Sequence, residues 1–312
     1  MPEPFDDEPV YLTELPDELR ARRAMAARRR RWRRRLALAA LLAVIGAAAA
    51  LVATGVGGGT SSNPAGTEAS QPATQAQGTG PGSYPAGWEP HTGPVPILEY
   101  HAIQPPVAGS SYPQLFVPQD DFQHQMQWLA DHGFEAVTLD QVEDAWYEAG
   151  ELPAKPVVVT FDDGYLSQFV AAFPMMQKLG WPGVLDLKAE GSDLPDEDAQ
   201  KMIDAGWELA SHTITHVDLT TVDDATLQRE VAGSRRILEH RFGVNVDNFC
   251  YPAGRYDDAV IAAVHKAGYR GATTEVPGSA SAAHPYILNR IEIELDDGLD
   301  GFVSKLQSAG AA

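Results

Sequence analysis

Along the chain, short runs of β-branched and aromatic residues alternate with stretches whose apolar positions recur every three or four residues. That is the pattern of strands followed by amphipathic helices. The most apolar run, Val157–Phe161, has no polar alternation, which predicts a strand covered on both faces as in a parallel sheet. It ends in Asp162, Asp163 and Gly164. Further strands are predicted at 95–100, 135–139, 183–187, 208–211, 248–251, 271–274 and 288–293. Helices are predicted between them at 120–132, 140–149, through Phe169, Phe173, Met176 and Leu179, and at 196–205, 223–242 and 257–267. Repeated β-then-α units from residue 94 onward predict an α/β fold with a parallel sheet, closed into a barrel.

Before residue 94 the pattern changes. Residues 1–35 read as a tail that ends in a basic block, Arg28–Arg31 and Arg33–Arg35. Residues 36–56 are Leu, Ala, Val, Ile and Gly with one Thr and no charge. As a helix this stretch spans roughly 31 Å, enough for a bilayer core of about 30 Å. The preceding arginines predict a cytoplasmic N-terminus, with everything after the segment outside. The competing reading is a cleaved secretory signal; it too exports the rest of the chain. Residues 57–93 are mostly Gly, Ser, Thr, Pro, Gln and Ala with almost no large apolar residue, a flexible linker with a reach of roughly 30–36 Å. The expected organisation is therefore tail, transmembrane signal-anchor, linker and a folded domain at 94–312.

Charge sharpens this division. The first 35 residues hold ten Arg and seven Asp or Glu, which leaves thirteen Lys or Arg against thirty-six Asp or Glu in the remainder. A surface that acidic repels nucleic acid, so no nucleic-acid partner is expected. The single cysteine, Cys250, excludes an intrachain disulfide and a cysteine-rich zinc site.

Candidate chemistry begins with the two acids at the tip of the apolar strand, where α/β folds place their sites. Taken alone, Asp-Asp-Gly is equally an ordinary turn. His212 and His216 follow another apolar strand, and their spacing of four puts both imidazoles on one face of a helical turn. One Asp with two His leaves a tetrahedral zinc ion one position short, the open position a catalytic site needs.

These residues carry a resemblance. Thr160-Phe161-Asp162-Asp163-Gly164 and His212-Thr213-Ile214-Thr215-His216 resemble the first two motifs of the polysaccharide deacetylases, the carbohydrate esterases with a NodB-homology domain. Ile97-Leu98-Glu99-Tyr100-His101 is similar to the opening strand of the branch that includes poly-N-acetylglucosamine deacetylases. Tyr251-Pro252-Ala253-Gly254 is similar to that branch's third motif, and Asn289-Arg290-Ile291 to its last strand. The resemblance implies a distorted (β/α)7–8 barrel that removes acetyl groups from an N-acetylated glycan with one divalent metal, usually zinc, with cobalt, nickel or manganese as alternatives. It implies Asp163, His212 and His216 as metal ligands, Asp162 as general base, and an oxyanion held in part by a backbone N–H at or near Ala253, with Tyr251 beside it on the substrate side.

Two departures from the family pattern need replacements. Asn248-Phe249-Cys250-Tyr251 lacks the arginine that many members carry before the motif-three proline to orient the base, and Arg290 is the candidate substitute, against a surface ion pair. The late histidine that often serves as general acid is not evident; His101 at the tip of the first strand is favoured over His284 in a loop. The expected product is a membrane-tethered deacetylase acting on an extracellular or cell-wall glycan, with poly-N-acetylglucosamine favoured and peptidoglycan as the other candidate. The reading from another class is a non-catalytic glycan-binding module with a vestigial metal site. A metalloprotease is disfavoured because there is no H-E-x-x-H helix.

Overall fold

The computed structural model describes residues 84–311. The expectations for the tail, for the apolar segment 36–56 and for linker residues 57–83 lie outside the described residues. Among the described residues, no helix is long and apolar enough to cross a membrane. The end of the expected linker belongs to the folded unit instead. Glu89–Pro90 pairs antiparallel with Glu151–Leu152, the Trp88 indole donates to Glu135 Oε1 at 3.1 Å, and the Trp146 indole donates to the Gly93 carbonyl at 3.0 Å. Composition reads this segment as a tether because an isolated apolar anchor such as Trp88 shows no period.

Eight parallel strands build the sheet: β1 (Ile97–Tyr100), β2 (Glu135–Val137), β3 (Pro156–Asp162), β4 (Val184–Leu187), β5 (Glu208–Ser211), β6 (Asn248–Cys250), β7 (Gly271–Pro277) and β8 (Leu288–Glu292). Seven of them close a ring in the order β1-β8-β7-β6-β5-β4-β3 and back to β1. β2 stands outside the closure, pairing only with Pro156–Val158 at the start of β3, while β1 takes the same edge from Val158 onward. The expected seven-or-eight-stranded barrel is thus a seven-stranded one with a short eighth strand attached.

Period-two alternation decides which side chains see the barrel interior. On β3, Val157, Val159 and Phe161 join the apolar layer that also holds Phe122, Met126, Met176 and Trp207 of the outer helices and loops. Val158 belongs to a second cluster with Ile97, Val184, Ala210 and Leu288, which fills the barrel. Continuing the same faces toward the C-terminal ends turns Thr160 and Asp162, Glu99, Asp186, Cys250 and Arg290 inward. The barrel is therefore apolar in its middle layer and polar at its upper mouth.

Helices cover the outside. Two of the stretches predicted as single helices are interrupted by one π-helical turn each. Gln168–Ala172 precedes Phe173–Leu179, and Arg229–Gly233 separates Asp224–Gln228 from Ser234–Phe242. A final helix, Gly298–Ser308, follows β8 and was not expected from the sequence.

Candidate metal and catalytic site

The site forms where β3, β5 and β6 end. Asp163 leaves β3 in the left-handed region at φ 71°, followed by Gly164 at φ 72°. Asp tolerates that conformation better than most residues. Gly164 has a stronger requirement, because a Cβ there would fall on Ser192 Oγ and Leu187 Cδ1. The double left-handed turn aims Asp162 and Asp163 in different directions from adjacent positions.

His212 and His216 do come together, with ring centroids 4.7 Å apart, but not on a helical turn as the spacing predicts. Thr213 and His216 are left-handed, at φ 65° and 64°, so the segment is a tight loop. Thr213 Oγ1 accepts from the His216 N–H at 2.8 Å, and the buried Glu230 carboxylate accepts from the N–H groups of Ile214 and Thr215 at 3.0 and 2.9 Å. Backbone donors satisfied by side chains replace the helical ladder.

Asp163 Oδ1 lies 4.0 Å from His212 Nε2 and 3.8 Å from His216 Nε2. Ligand bonds of about 2.0–2.2 Å at tetrahedral angles put ligand atoms roughly 3.3–3.6 Å apart, so these two distances need to close by only about half an ångström, and all three donors lie within 4.8 Å of one another. The donor chemistry fits as well. His212 Nδ1 donates to the Cys250 carbonyl at 2.9 Å, which leaves the Nε2 lone pair facing Asp163. Burial, with His216 next to it, pushes the His212 pKa down to about 3, so the ring is neutral. Burial likewise lowers His216. Burial alone would raise Asp163, but Lys188 at 3.2 Å and the two histidines outweigh it and hold its carboxyl well below the usual range. Nothing in the sequence pattern singled out Lys188; it projects just past the end of β4.

Asp162 is next to this trio but turned into the barrel. Arg290 grips it with two parallel bonds, Nη1 to Oδ1 at 2.8 Å and Nη2 to Oδ2 at 2.9 Å. Burial by itself would raise the Asp162 pKa, yet the bidentate guanidinium overrides it and keeps the group ionised. Arg290 is itself fixed by donating from Nε to the Thr274 carbonyl at 2.9 Å and from Nη1 to Thr160 Oγ1 at 3.1 Å. A register shift between Leu288 and Arg290 in the β7–β8 pairing marks a bulge, a device that re-aims a side chain. Of the two readings of Arg290, the structure gives the buried one: it is 1% exposed, and no surface pair.

His101 caps β1 beside this pair, its Nε2 4.0 Å from Glu99 Oε1. Glu99, His101 and Asp162 each offer a side-chain atom within 4.8 Å of the others, but the Arg290 guanidinium beside them disfavours a second cation there. His284 is exposed. The Cys250 thiol, raised by burial and so neutral, donates to Asp162 Oδ2 at 3.4 Å. Ala253 turns the chain at φ 49° within the short helix Pro252–Gly254. Tyr251 departs from the expectation. Its ring is buried against Phe249 and Tyr256 and its hydroxyl donates to the Tyr286 carbonyl at 3.0 Å, so the side chain packs into the core. Two polar residues that the sequence reading passed over hold the site from behind. Gln168 Nε2 donates to the His101 carbonyl at 3.1 Å and the Asp162 carbonyl at 2.6 Å, and Glu230 anchors the histidine loop.

Comparison with known proteins gives a consistent picture. The family described as polysaccharide deacetylase matches residues 149–272. YxkH of Bacillus subtilis (strain 168), whose name places it among the polysaccharide deacetylases, is 31% identical over 204 residues, 64% of this chain and 71% of that protein. The poly-β-1,6-N-acetyl-D-glucosamine N-deacetylase of Escherichia coli (strain K12) is 33% identical over 150 residues, 47% of this chain but only 20% of that protein. Among solved structures, the Streptococcus pyogenes deacetylase PplD in complex with acetate superposes with a TM-score of 0.64 at 25% identity, over 69% of this chain and 99% of that one.

Proposed function

Because the chain belongs to the polysaccharide deacetylase family, we propose that it is a metal-dependent hydrolase that removes N-acetyl groups from an extracytoplasmic polysaccharide. The observation that carries this reading is an ionised carboxylate, Asp162, held by Arg290 beside the Asp163, His212 and His216 donors and outside their set. Binding a glycan needs no such group; hydrolysis does.

In this mechanism Asp163, His212 and His216 would hold the cation, zinc being the first choice for two imidazoles and a carboxylate. A divalent ion held there would supply the positive charge that makes water more acidic and the amide carbonyl more electrophilic. Asp162 takes the proton from the attacking water, and Arg290 keeps its carboxylate in one orientation while it does so. The backbone turn at Ala253 supplies an N–H toward the oxygen on which negative charge develops. His101 gives a proton to the departing nitrogen as the C–N bond breaks, leaving acetate and a free amine on the sugar. A poly-N-acetylglucosamine-type polymer is the favoured substrate, supported by the name of the E. coli relative, with peptidoglycan as the second candidate. Residues 36–56 are proposed as the anchor that keeps the domain outside the cytoplasmic membrane; a soluble mature product beginning after residue 50 would replace the anchor by secretion.

The test is acetate release from N-acetylglucosamine oligomers by the full-length protein with defined metals. Asp162→Asn is expected to abolish release while metal content persists. Glycan binding without acetate release by the wild type would instead make the protein a binding module.

A further inference from the structure

Arg290 carries one positive charge, and three carboxyl groups converge on it. Asp162 takes the two-bond fork, Glu99 Oε1 lies 3.2 Å from Nη2, and Asp186 Oδ2 lies 3.6 Å from Nη1. All four side chains are sealed from solvent at the barrel mouth. Asp162 and Asp186 are register partners on β3 and β4, so like groups sit directly side by side. Neither oxygen of Glu99 or of Asp186 accepts a hydrogen bond from a described residue. A buried carboxylate with no donor is costly, and three anions around one cation leave two charges uncompensated.

The surroundings agree. Glu99 is faced by Arg290, Asp162, Glu275 and Glu292, with His101 at the end of its own strand. Asp186 is faced by Asp162, Arg290 and the Cys250 thiol. Burial first, and these neighbouring acids next, push both carboxyls well above the usual range in spite of Arg290.

We propose that Glu99 and Asp186 are positioning residues that act as neutral carboxylic acids, flanking the Arg290 guanidinium so that it stays square to Asp162. Four of the five guanidinium hydrogens are committed, to Thr274, to Thr160 and twice to Asp162. The fifth, on Nη2, is on the side of Glu99, whose neutral carbonyl oxygen can accept it. A protonated Asp186 donates to the Asp162 carboxylate alongside. Each neutral acid thus blocks one direction of swing, and neither draws the arginine's charge away from Asp162. This role in turnover rests on the reading of Asp162 as the base.

Glu99→Gln and Asp186→Asn, neutral groups of the same shape, are expected to keep kcat within about twofold and to leave the pH profile of kcat/KM in place. Glu99→Ala and Asp186→Ala are expected to lower kcat roughly tenfold to a hundredfold with KM and bound metal unchanged, the effect of a misplaced catalytic group. Amide variants as damaged as the alanine variants would overturn the proposal, since charge would then be what matters.

Two measurements on the full-length protein need no turnover. Isotope-edited infrared spectra at neutral pH are expected to show protonated-carboxyl absorption that each amide variant removes in part; absorption left undiminished by both variants refutes the neutral acids. Nitrogen NMR of the guanidinium, assigned with Arg290→Lys, is expected to show Nη rotation blocked in the wild type and freed in the alanine variants. Rotation equally blocked in both refutes the flanking role. If the wild type releases no acetate, the reading of Asp162 falls and these two spectra still decide the state and the role of Glu99 and Asp186.

Discussion

At the scale of single residues, Arg290 shows how much a fixed geometry adds to a charge. Its planar fork meets both oxygens of Asp162, which a lysine ammonium cannot do. Arg290→Lys is therefore expected to lower kcat about a hundredfold, with substrate KM changed little, in the acetate-release assay. The sequence put Arg290 on the last strand but could not tell a buried fork from a surface pair, because a bulge one position away decides which way the side chain turns. His212 makes the complementary case. Its Nδ1–H is committed to the Cys250 carbonyl, so the tautomer with a bare Nε2 follows from one backbone contact between β5 and β6. With its pKa pushed down to about 3, the metal-free ring is expected to stay neutral at pH 5. Long-range nitrogen–proton NMR checks this; a doubly protonated His212 at pH 5 would contradict it.

At the scale of elements, both π-helical turns lie behind the site, and each contributes a buried polar side chain to it. Gln168 ties the last carbonyls of the β1 and β3 region together, and Glu230 ties down the loop between His212 and His216. One extra residue per turn shifts which side chains face inward, and such turns recur at functional sites. Amphipathic spacing reads through the interruption, because the apolar positions Leu227, Val231 and Leu238 still fall inside. Glu230→Ala would leave two loop N–H groups without their acceptor. It is expected to weaken metal binding roughly tenfold to a hundredfold in a chelator competition, as loss of a supporting partner usually does. Unchanged affinity would mean that the loop holds its shape through Thr213 alone.

At the scale of the whole barrel, the two ends carry buried acid for different ends. The lower rim collects Asp140, Glu143, Glu208 and Asn248 around Arg270, with Asn248 Nδ2 donating to Glu208 at 3.0 Å and Arg270 Nε 3.2 Å from Glu143. Burial pushes Glu143 up to about 8 against the pull of Arg270, and Asp140 to about 6. The folded state therefore keeps a proton on Glu143 that the unfolded chain releases near its ordinary value of 4.5. Stability from this group is complete below that value and is lost as pH rises toward about 8, at a slope of about 1.4 kcal/mol per pH unit. Glu143→Gln is expected to flatten this part of the profile, so that the variant gains on the wild type in urea unfolding between pH 5 and pH 8. Parallel curves would show that Glu143 is ionised in the native state. Asp162 and Asp163, both lowered, act in the opposite sense: their contribution holds above pH 4 and is lost in stronger acid.

The sequence by itself determined the β-then-α succession and the strand that ends in paired acids, and the motif resemblance pointed to Asp163, His212 and His216, three side chains that the fold brings together. These follow from local signals: hydrophobic period, turn residues, and motif spacing along a continuous stretch of chain. It missed the packing of residues 84–93, the helix Gly298–Ser308 and the π-helical turns, where the local pattern is sparse or continues smoothly across the irregularity. Only the tertiary structure decided that Arg290 meets Asp162 across 128 positions of chain, that Tyr251 turns into the core, and that Glu99 and Asp186 share one guanidinium. Those contacts are set by barrel closure and strand register, and a register is a relation between strands that neither strand encodes alone.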